Sequence, residues 1–304
     1  MAGSSAAGKV EPAGRSSPAT LRSRVALFLE AIKFEHSVFA LPFAVLAAFL
    51  VSDGVPQWRP FLWVVVAMVG ARTLGMAANR LIDAGIDARN PRTAGRAIPA
   101  GLLRRRDVAI FMTVAAVAFG IAVAQLDRLA WYLSPVVIAV LTFYPYLKRF
   151  TWLSHIGLGL VYLIIPPATA IAFTGQIPAW SVLLGVAGMF WVAGFDLIYA
   201  TADVAVDREQ GLHSIPARFG IAAALWVSRA FHAATTVLLA VAGVVAGAGP
   251  LYFAGVAAAA ALLAYEQSLV SPADLSRLNA AFFTMNGVIA VVFAVFVCTG
   301  VVVG

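Results

Sequence analysis

The stretch FLWVVVAMVGARTLGMAANRLIDAGID, residues 61–87, decides the fold of this 304-residue chain. Its first part is apolar for long enough to cross a hydrocarbon core of about 30 Å as a helix. Its end is polar: Asn79, Asp83 and Asp87 recur every fourth residue. At 3.6 residues per turn the three share one stripe of that helix. Carboxylates on a membrane span are costly beside lipid, so the stripe faces an interior cavity and points to function.

The rest of the chain extends this reading. Hydrophobic residues make up 62% and charged residues 12%, against about 45–50% and about 25% in ordinary soluble domains. Mean hydropathy is +0.92. These values exclude a soluble globular enzyme, a disordered protein and a nucleic-acid-binding domain. They predict an all-α polytopic membrane protein whose partner is the lipid bilayer, with no nucleic-acid partner. The net charge of +7 then reads as loop charge that sets topology. Cys298, the single cysteine, excludes a disulfide framework and a Cys-based metal site, and lies in an apolar run as a small hydrophobe.

Apolar windows predict nine spans around a central cavity, near 25–50, 61–83, 108–125, 129–146, 152–173, 180–202, 220–247, 250–270 and 280–302. Residues 1–21, rich in Ala, Gly, Ser and Pro, read as a disordered cytoplasmic tail and not as a signal peptide. Residues 22–304 read as one transmembrane domain in two pseudo-repeated parts, about 25–150 and 152–302. With the N-terminus in the cytoplasm, only Arg59 and Arg128 fall in outside loops. Lys33, Arg72, Arg80 and Arg229 lie within spans, and the other 15 of the 21 Lys and Arg residues fall inside. That asymmetry predicts a multi-pass protein of the inner (plasma) membrane in this orientation.

The second acidic stripe closes span six as Asp196-Leu-Ile-Tyr199-Ala-Thr-Ala-Asp203-Val-Ala-Val-Asp207. Asp83 and Asp203 are 120 residues apart, and each stripe leads into a polar inside loop that contains Ile-Pro-Ala, at 98–100 and 215–217. The two stripes hold five of the chain's 14 acidic residues. One such pair at a helix end can be a solvated surface. Two matching pairs on one membrane face suit a hard cation such as Mg²⁺, which is commonly shared between carboxylates and a substrate phosphate. Nearby bases, Arg92, Arg96, Lys148, Arg149 and Arg218, suit a diphosphate. Arg104-Arg105-Arg106 reads as a positive-inside anchor. Glu35 and His36 are the nearest partners for Lys33, and Arg72 needs a partner within the membrane. His213 and Ser214 fit a capping or a catalytic role equally, while His155 and His232 read as structural. Tyr144, which opens Tyr144-Pro-Tyr-Leu-Lys148-Arg149, fits an interfacial belt or a cavity wall that shields a cation.

At these residues the chain resembles the UbiA superfamily of intramembrane aromatic prenyltransferases. Asn79-x3-Asp83-x3-Asp87, followed by Arg92, Thr93, Arg96 and Pro99, is similar to that family's first acidic motif, with Arg80 where the family usually has Asp. Asp196-x2-Tyr199-x3-Asp203-x3-Asp207 is similar to its second motif, and Tyr144-x3-Lys148 to its YxxxK element. Residues 34–42 and 211–216 resemble the 4-hydroxybenzoate polyprenyltransferase branch. Asn90-Pro-Arg92-Thr-Ala-Gly-Arg96 also resembles menaquinone-pathway enzymes that act on a dihydroxynaphthoate.

The resemblance implies Mg²⁺-dependent transfer of a polyprenyl group from polyprenyl diphosphate to an aromatic acid, 4-hydroxybenzoate or 1,4-dihydroxy-6-naphthoate. Asn79, Asp83, Asp87, Asp203 and Asp207 are the implied metal ligands. Arg96, Lys148, Arg92 and Arg72 are the implied diphosphate contacts, Arg72 being also a partner for the acceptor's carboxylate. Tyr144 shields the allylic cation, and Asp196 and Tyr199 orient or deprotonate the acceptor. The alternatives are a membrane transporter and a sibling prenyltransferase with another acceptor. Against the transporter, the acidic pairs sit at helix ends and not at the bilayer midplane.

Overall fold

The computed structural model describes residues 21–32 and 40–304, with side chains from Arg24 onward. The expected N-terminal tail therefore lies outside the described residues apart from Leu21, as do Lys33, Glu35, His36 and most of the 34–42 resemblance. Among the described residues the chain is helical throughout, with one isolated bridge between Ser271 and Asp274 and no strand.

Twelve α-helices follow in order among the described residues: α1 (Leu21–Ala31), α2 (Leu41–Ser52), α3 (Trp58–Asp87), α4 (Arg105–Val123), α5 (Arg128–Phe143), α6 (Ser154–Thr174), α7 (Ala179–Ala200), α8 (Val204–Glu209), α9 (Ile215–Phe219), α10 (Ile221–Ala246), α11 (Pro250–Ser268) and α12 (Asn286–Val303). A 3-10 turn, Tyr144–Arg149, continues α5, and a π-helical turn, Ala280–Met285, opens α12.

Seven helical stretches among the described residues are long and apolar enough to cross a membrane. Two of the expected nine spans are not among these seven. The first predicted span, 25–50, divides into α1 and the short α2: Ile32 and Ala40 are turn residues, and Pro42 favours a fresh helix start in the first turn of α2. The eighth, α11, ends in the polar run Glu266-Gln267-Ser268 and is not among the seven.

The length of α3 positions the site. Its 30 residues rise about 45 Å at 1.5 Å each, more than a hydrocarbon core of about 30 Å requires. The last two turns, which carry Asp83 and Asp87, can therefore stand at the membrane's edge. Pro91 then keeps Asn90 out of helical geometry and ends the rod. Continuous with its 3-10 turn Thr201–Asp203 and with α8, α7 does the same for the second stripe.

The central helix is α7, with 67% of its apolar window buried against 17% for α5 and its turn. Small residues allow that centrality, because without large side chains the neighbouring backbones approach closely. A Cβ on Gly185 would sit 2.3 Å from the Leu163 carbonyl oxygen of α6, and one on Gly194 would sit 2.4 Å from the His232 ring of α10. Trp191, Leu184 and Leu197 of α7 join Leu46 of α2 and Phe293 of α12 among the most deeply buried side chains. Trp131 and Tyr132 of α5 and Trp226 of α10 are exposed on outer faces, as lipid contact requires.

Candidate active site

Both acidic helix ends open onto one cavity of about 610 Å³. Asn79 and Asp83 reach it from α3, Asp196 and Tyr199 from α7, and Asp203 and Asp207 from the turn and helix that follow. Arg72, Arg92, Arg96, Tyr144, Lys148, His155 and Ser214 line it as well. Asp87, the fifth expected ligand, does not: it lines a small neighbouring cleft with Arg80 and Arg96. Arg218 instead lies over the Phe219 ring at 5.4 Å.

Each motif carboxylate already has a partner. Asp83, only 2% exposed, accepts from Asn79 Nδ2 at 3.1 Å, Lys148 Nζ at 2.5 Å and Arg149 Nη2 at 3.2 Å. Arg96 Nη1 bridges both oxygens of Asp87, at 2.7 and 2.8 Å. Asp203 accepts from Asn90 Nδ2 at 2.9 Å and from Nε and Nη2 of Arg92, a two-pronged pair. Ser214 Oγ donates to Asp207 at 2.8 Å. Arg96 and Lys148, expected on diphosphate, are thus held by Asp87 and Asp83.

Arg92 ties the two loops together. Besides Asp203 it donates to the Tyr199 hydroxyl, and its guanidinium carbon lies 4.6 Å from the Tyr199 ring centre. Partial burial pulls its pKa down, but the hydrogen bonds and charge of Asp203, with Tyr199 beside them, outweigh that and hold it above the ordinary arginine value. Gln210 Nε2 to the Ile86 carbonyl (3.4 Å) fastens the second loop to the end of α3, and His213 N to the Lys148 carbonyl (2.7 Å) fastens it to the 3-10 turn after α5.

Arg80, the departure from the family pattern, turns away from a ligand role. Its Nε donates to the carbonyl of Ala31 at 2.7 Å, which caps the C-terminus of α1. Arg105, read as an anchor, donates to the Leu81 carbonyl at 2.7 Å.

His155, read as structural, is a correction. It lines the cavity, and its Nδ1 sits 2.6 Å from Asp196 Oδ2. The reading missed it because the two residues lie on different helices, 41 positions apart. His232 does pack structurally, against Gly194 and Gln267. Asn90 was missed too, although its place directly after the first stripe was a usable signal. Phe195, Phe282 and Phe283, which complete the wall, carried no motif.

A second, apolar cavity of about 320 Å³ extends from the first. Arg72, Met76, Tyr144, Leu158 and Tyr162 line both. Tyr144 is therefore a cavity wall and not only a belt residue. At this junction Arg72 Nε is buried without a hydrogen-bond partner. A buried donor left open beside a cavity is a binding position for an anion or another acceptor.

Known proteins share this fold. A UbiA homolog from Aeropyrum pernix K1, solved in its apo form, is 32% identical, with a TM-score of 0.79 over 87% of this chain and 98% of its own. A UbiA homolog from Archaeoglobus fulgidus bound to GPP and Mg²⁺ shares the fold at 16% identity and a TM-score of 0.70, over 90% of this chain and 99% of that one. The 4-hydroxybenzoate octaprenyltransferase of Cupriavidus necator is 33% identical over 254 residues, 82% of this chain and 87% of that protein. That of Aromatoleum aromaticum is 29% identical over 286 residues, 92% and 96%. The pattern of the UbiA prenyltransferase family matches residues 40–288. Because that match runs from the turn before α2 into α12 and takes in both acidic stripes and the basic turn between them, the chain belongs to the UbiA prenyltransferase family.

Proposed function

We propose that this protein transfers a polyprenyl group from polyprenyl diphosphate to an aromatic acid, 4-hydroxybenzoate or 1,4-dihydroxy-6-naphthoate, on the path to ubiquinone or menaquinone. One observation carries the reading: a polar cavity walled by two acidic motifs and five bases continues into an apolar one. That junction suits a molecule with a diphosphate head and a hydrocarbon tail. The names of the Cupriavidus and Aromatoleum relatives support 4-hydroxybenzoate.

The donor set suits Mg²⁺. It is all oxygen, with Asn79, Asp83, Asp203 and Asp207 at the cavity, and the A. fulgidus homolog was solved with that ion. Among the described residues no three acidic or His side chains form a cage by themselves. Mg²⁺ needs none, since it keeps waters and shares one or two carboxylates with substrate phosphates. When bound, it neutralises charge on the diphosphate leaving group.

The chain's own groups do the rest. Lys148, Arg149, Arg96 and Arg92 exchange carboxylate partners for diphosphate oxygens and stabilise the charge that grows as the C1–O bond breaks. The bonding pair leaves with diphosphate, and C1 becomes an allylic cation beside the Tyr144 ring. Asp196, steadied by His155, takes the acceptor's hydroxyl proton. A ring carbon ortho to that oxygen attacks C1. The ring proton at that carbon leaves with diphosphate, and Asp196 returns its proton to the oxygen. Apolar walls exclude the water that would quench the cation. The loops that carry Arg92 and His213 cap the cavity on the cytoplasmic side, in the topology of the inner membrane given by the loop charges.

The first test is diphosphate release by purified protein in liposomes with Mg²⁺, a long-chain prenyl diphosphate and each acceptor in turn. Acceptor-dependent release identifies the transferase and its acceptor; release with neither refutes both acceptors. Arg72 gives a second test. We assign its open donor to the acceptor's carboxylate. Arg72→Met is expected to raise the acceptor KM by about 10- to 100-fold, the loss of one charge-assisted hydrogen bond, with little change in the prenyl diphosphate KM. Equal shifts in both KM values would place Arg72 on diphosphate instead.

A further inference from the structure

Behind the cavity wall lies a buried polar cluster that the transfer chemistry does not use. Glu266, near the end of α11, and Asn286, at the start of α12, are both 0% exposed. Asn286 Oδ1 accepts from Trp191 Nε1 of α7 at 2.7 Å, and its Nδ2 lies 3.2 Å from Glu266 Oε1. The same nitrogen lies 3.1 and 2.9 Å from the carbonyl oxygens of Ala281 and Phe282. Two amide hydrogens are thus shared among three acceptors. Polar groups this deep are costly unless they secure something.

What they secure is the π-helical turn Ala280–Met285, to which both carbonyls belong. Such wide turns are rare and occur often at functional sites. This one presents Phe282 and Phe283 to the cavity. Phe282 stacks on Tyr199 with centroids 4.1 Å apart and meets Phe195 edge-on at 5.3 Å. Phe283 meets Tyr199 edge-on at 5.7 Å. With Arg92 also against its ring, Tyr199 is held from more than one side. The position of this aromatic wall therefore depends on how the turn is held.

We infer that Asn286, anchored by Glu266 and Trp191, is a positioning residue that holds the π-turn and thereby sets the Phe282–Tyr199 wall against which a planar acceptor ring docks. The docking part rests on the proposed function, while the turn-holding part does not.

Asn286→Leu, Glu266→Leu and Glu266→Gln separate the possibilities through two readouts, amide hydrogen exchange over residues 280–286 and steady-state KM for each substrate. Asn286→Leu is expected to speed exchange in the turn and raise the acceptor KM by about 10-fold, the loss expected for a buried hydrogen-bonded group. The prenyl diphosphate KM stays within about 2-fold of wild type, since ground-state contacts to that substrate are untouched. Glu266→Leu follows Asn286→Leu, whereas Glu266→Gln keeps the acceptor oxygen and stays near wild type. Unchanged exchange in the turn, or KM values that move together, overturns the inference, as does a Glu266→Gln protein as impaired as Glu266→Leu. If the wild-type protein transfers nothing to any acceptor, the proposed function fails and exchange alone decides whether Asn286 holds the turn.

Discussion

An Asp83→Asn protein is expected to fold and to release diphosphate more slowly than wild type by about 10³-fold, at the upper end for removing one preorganised electrostatic group. Asn matches Asp in shape, and its one amide oxygen, set where Asp83 Oδ2 lies, still accepts from Asn79 and Lys148, while the Arg149 contact to Oδ1 is lost. What it lacks is the charge that binds a divalent cation. Breaking a fully buried ion pair costs about 3–5 kcal/mol, but the side chains of Lys148 and Arg149 are 28% and 26% exposed. Water can solvate the two freed cations, so the stability loss falls well below that range. The two bases also remain free to hold diphosphate. Turnover should therefore collapse while prenyl diphosphate binding persists, with its KM unchanged or lower. A KM that rises as steeply as kcat falls would contradict this division of labour between carboxylate and bases.

The stripes themselves were legible because they are local. Helical period alone places Asn79 and Asp83 at one cavity, and Tyr199, Asp203 and Asp207 reach it too across the 3-10 turn Thr201–Asp203, whereas Asp87 turns to the neighbouring cleft. The partners were not legible. Asn90 meets Asp203 across 113 positions and Lys148 meets Asp83 across 65, and only the packing of α3, α5 and α7 brings them together. Charge patterning placed Arg92, Arg96 and Lys148 near the site but could not show that they neutralise its carboxylates. The division of the first span into α1 and α2 went unread although Lys33, Glu35, His36 and Ser37, which follow Ile32 in the sequence, were a usable signal. Hydropathy registers burial in lipid and not the carbonyl of Ala31, which Arg80 caps. The π-turn that carries Phe282 also escaped, since a window of apolar residues reads the same at either helical pitch.

Chelation of divalent cations should abolish diphosphate release, by at least about 10³-fold, and yet leave the protein's thermal midpoint within about 2 °C, a shift that corresponds to about 1 kcal/mol in a chain this size. The two effects separate because the carboxylates do not depend on a metal for neutralisation. Asp83 pairs with Lys148 and Arg149, Asp87 with Arg96 and Asp203 with Arg92; Asp207 takes a hydrogen bond from Ser214. Five acidic side chains, Glu30, Asp83, Asp196, Asp203 and Asp207, and five basic ones, Arg72, Arg80, Arg92, Arg96 and Lys148, line the cavity and leave it near neutral. A prenyl diphosphate brings about three negative charges into that balance, and one or two Mg²⁺ ions offset them. The cation is thus required with the substrate and not before it. A structural metal behaves in the opposite way, since its removal unfolds the site. Added Mg²⁺ should restore release in full, and Mg²⁺ alone should shift the thermal midpoint far less than Mg²⁺ together with prenyl diphosphate. A large destabilisation by chelator alone would mean that the cation belongs to the resting fold and that the pairs with Lys148, Arg96 and Arg92 do not hold the carboxylates unaided.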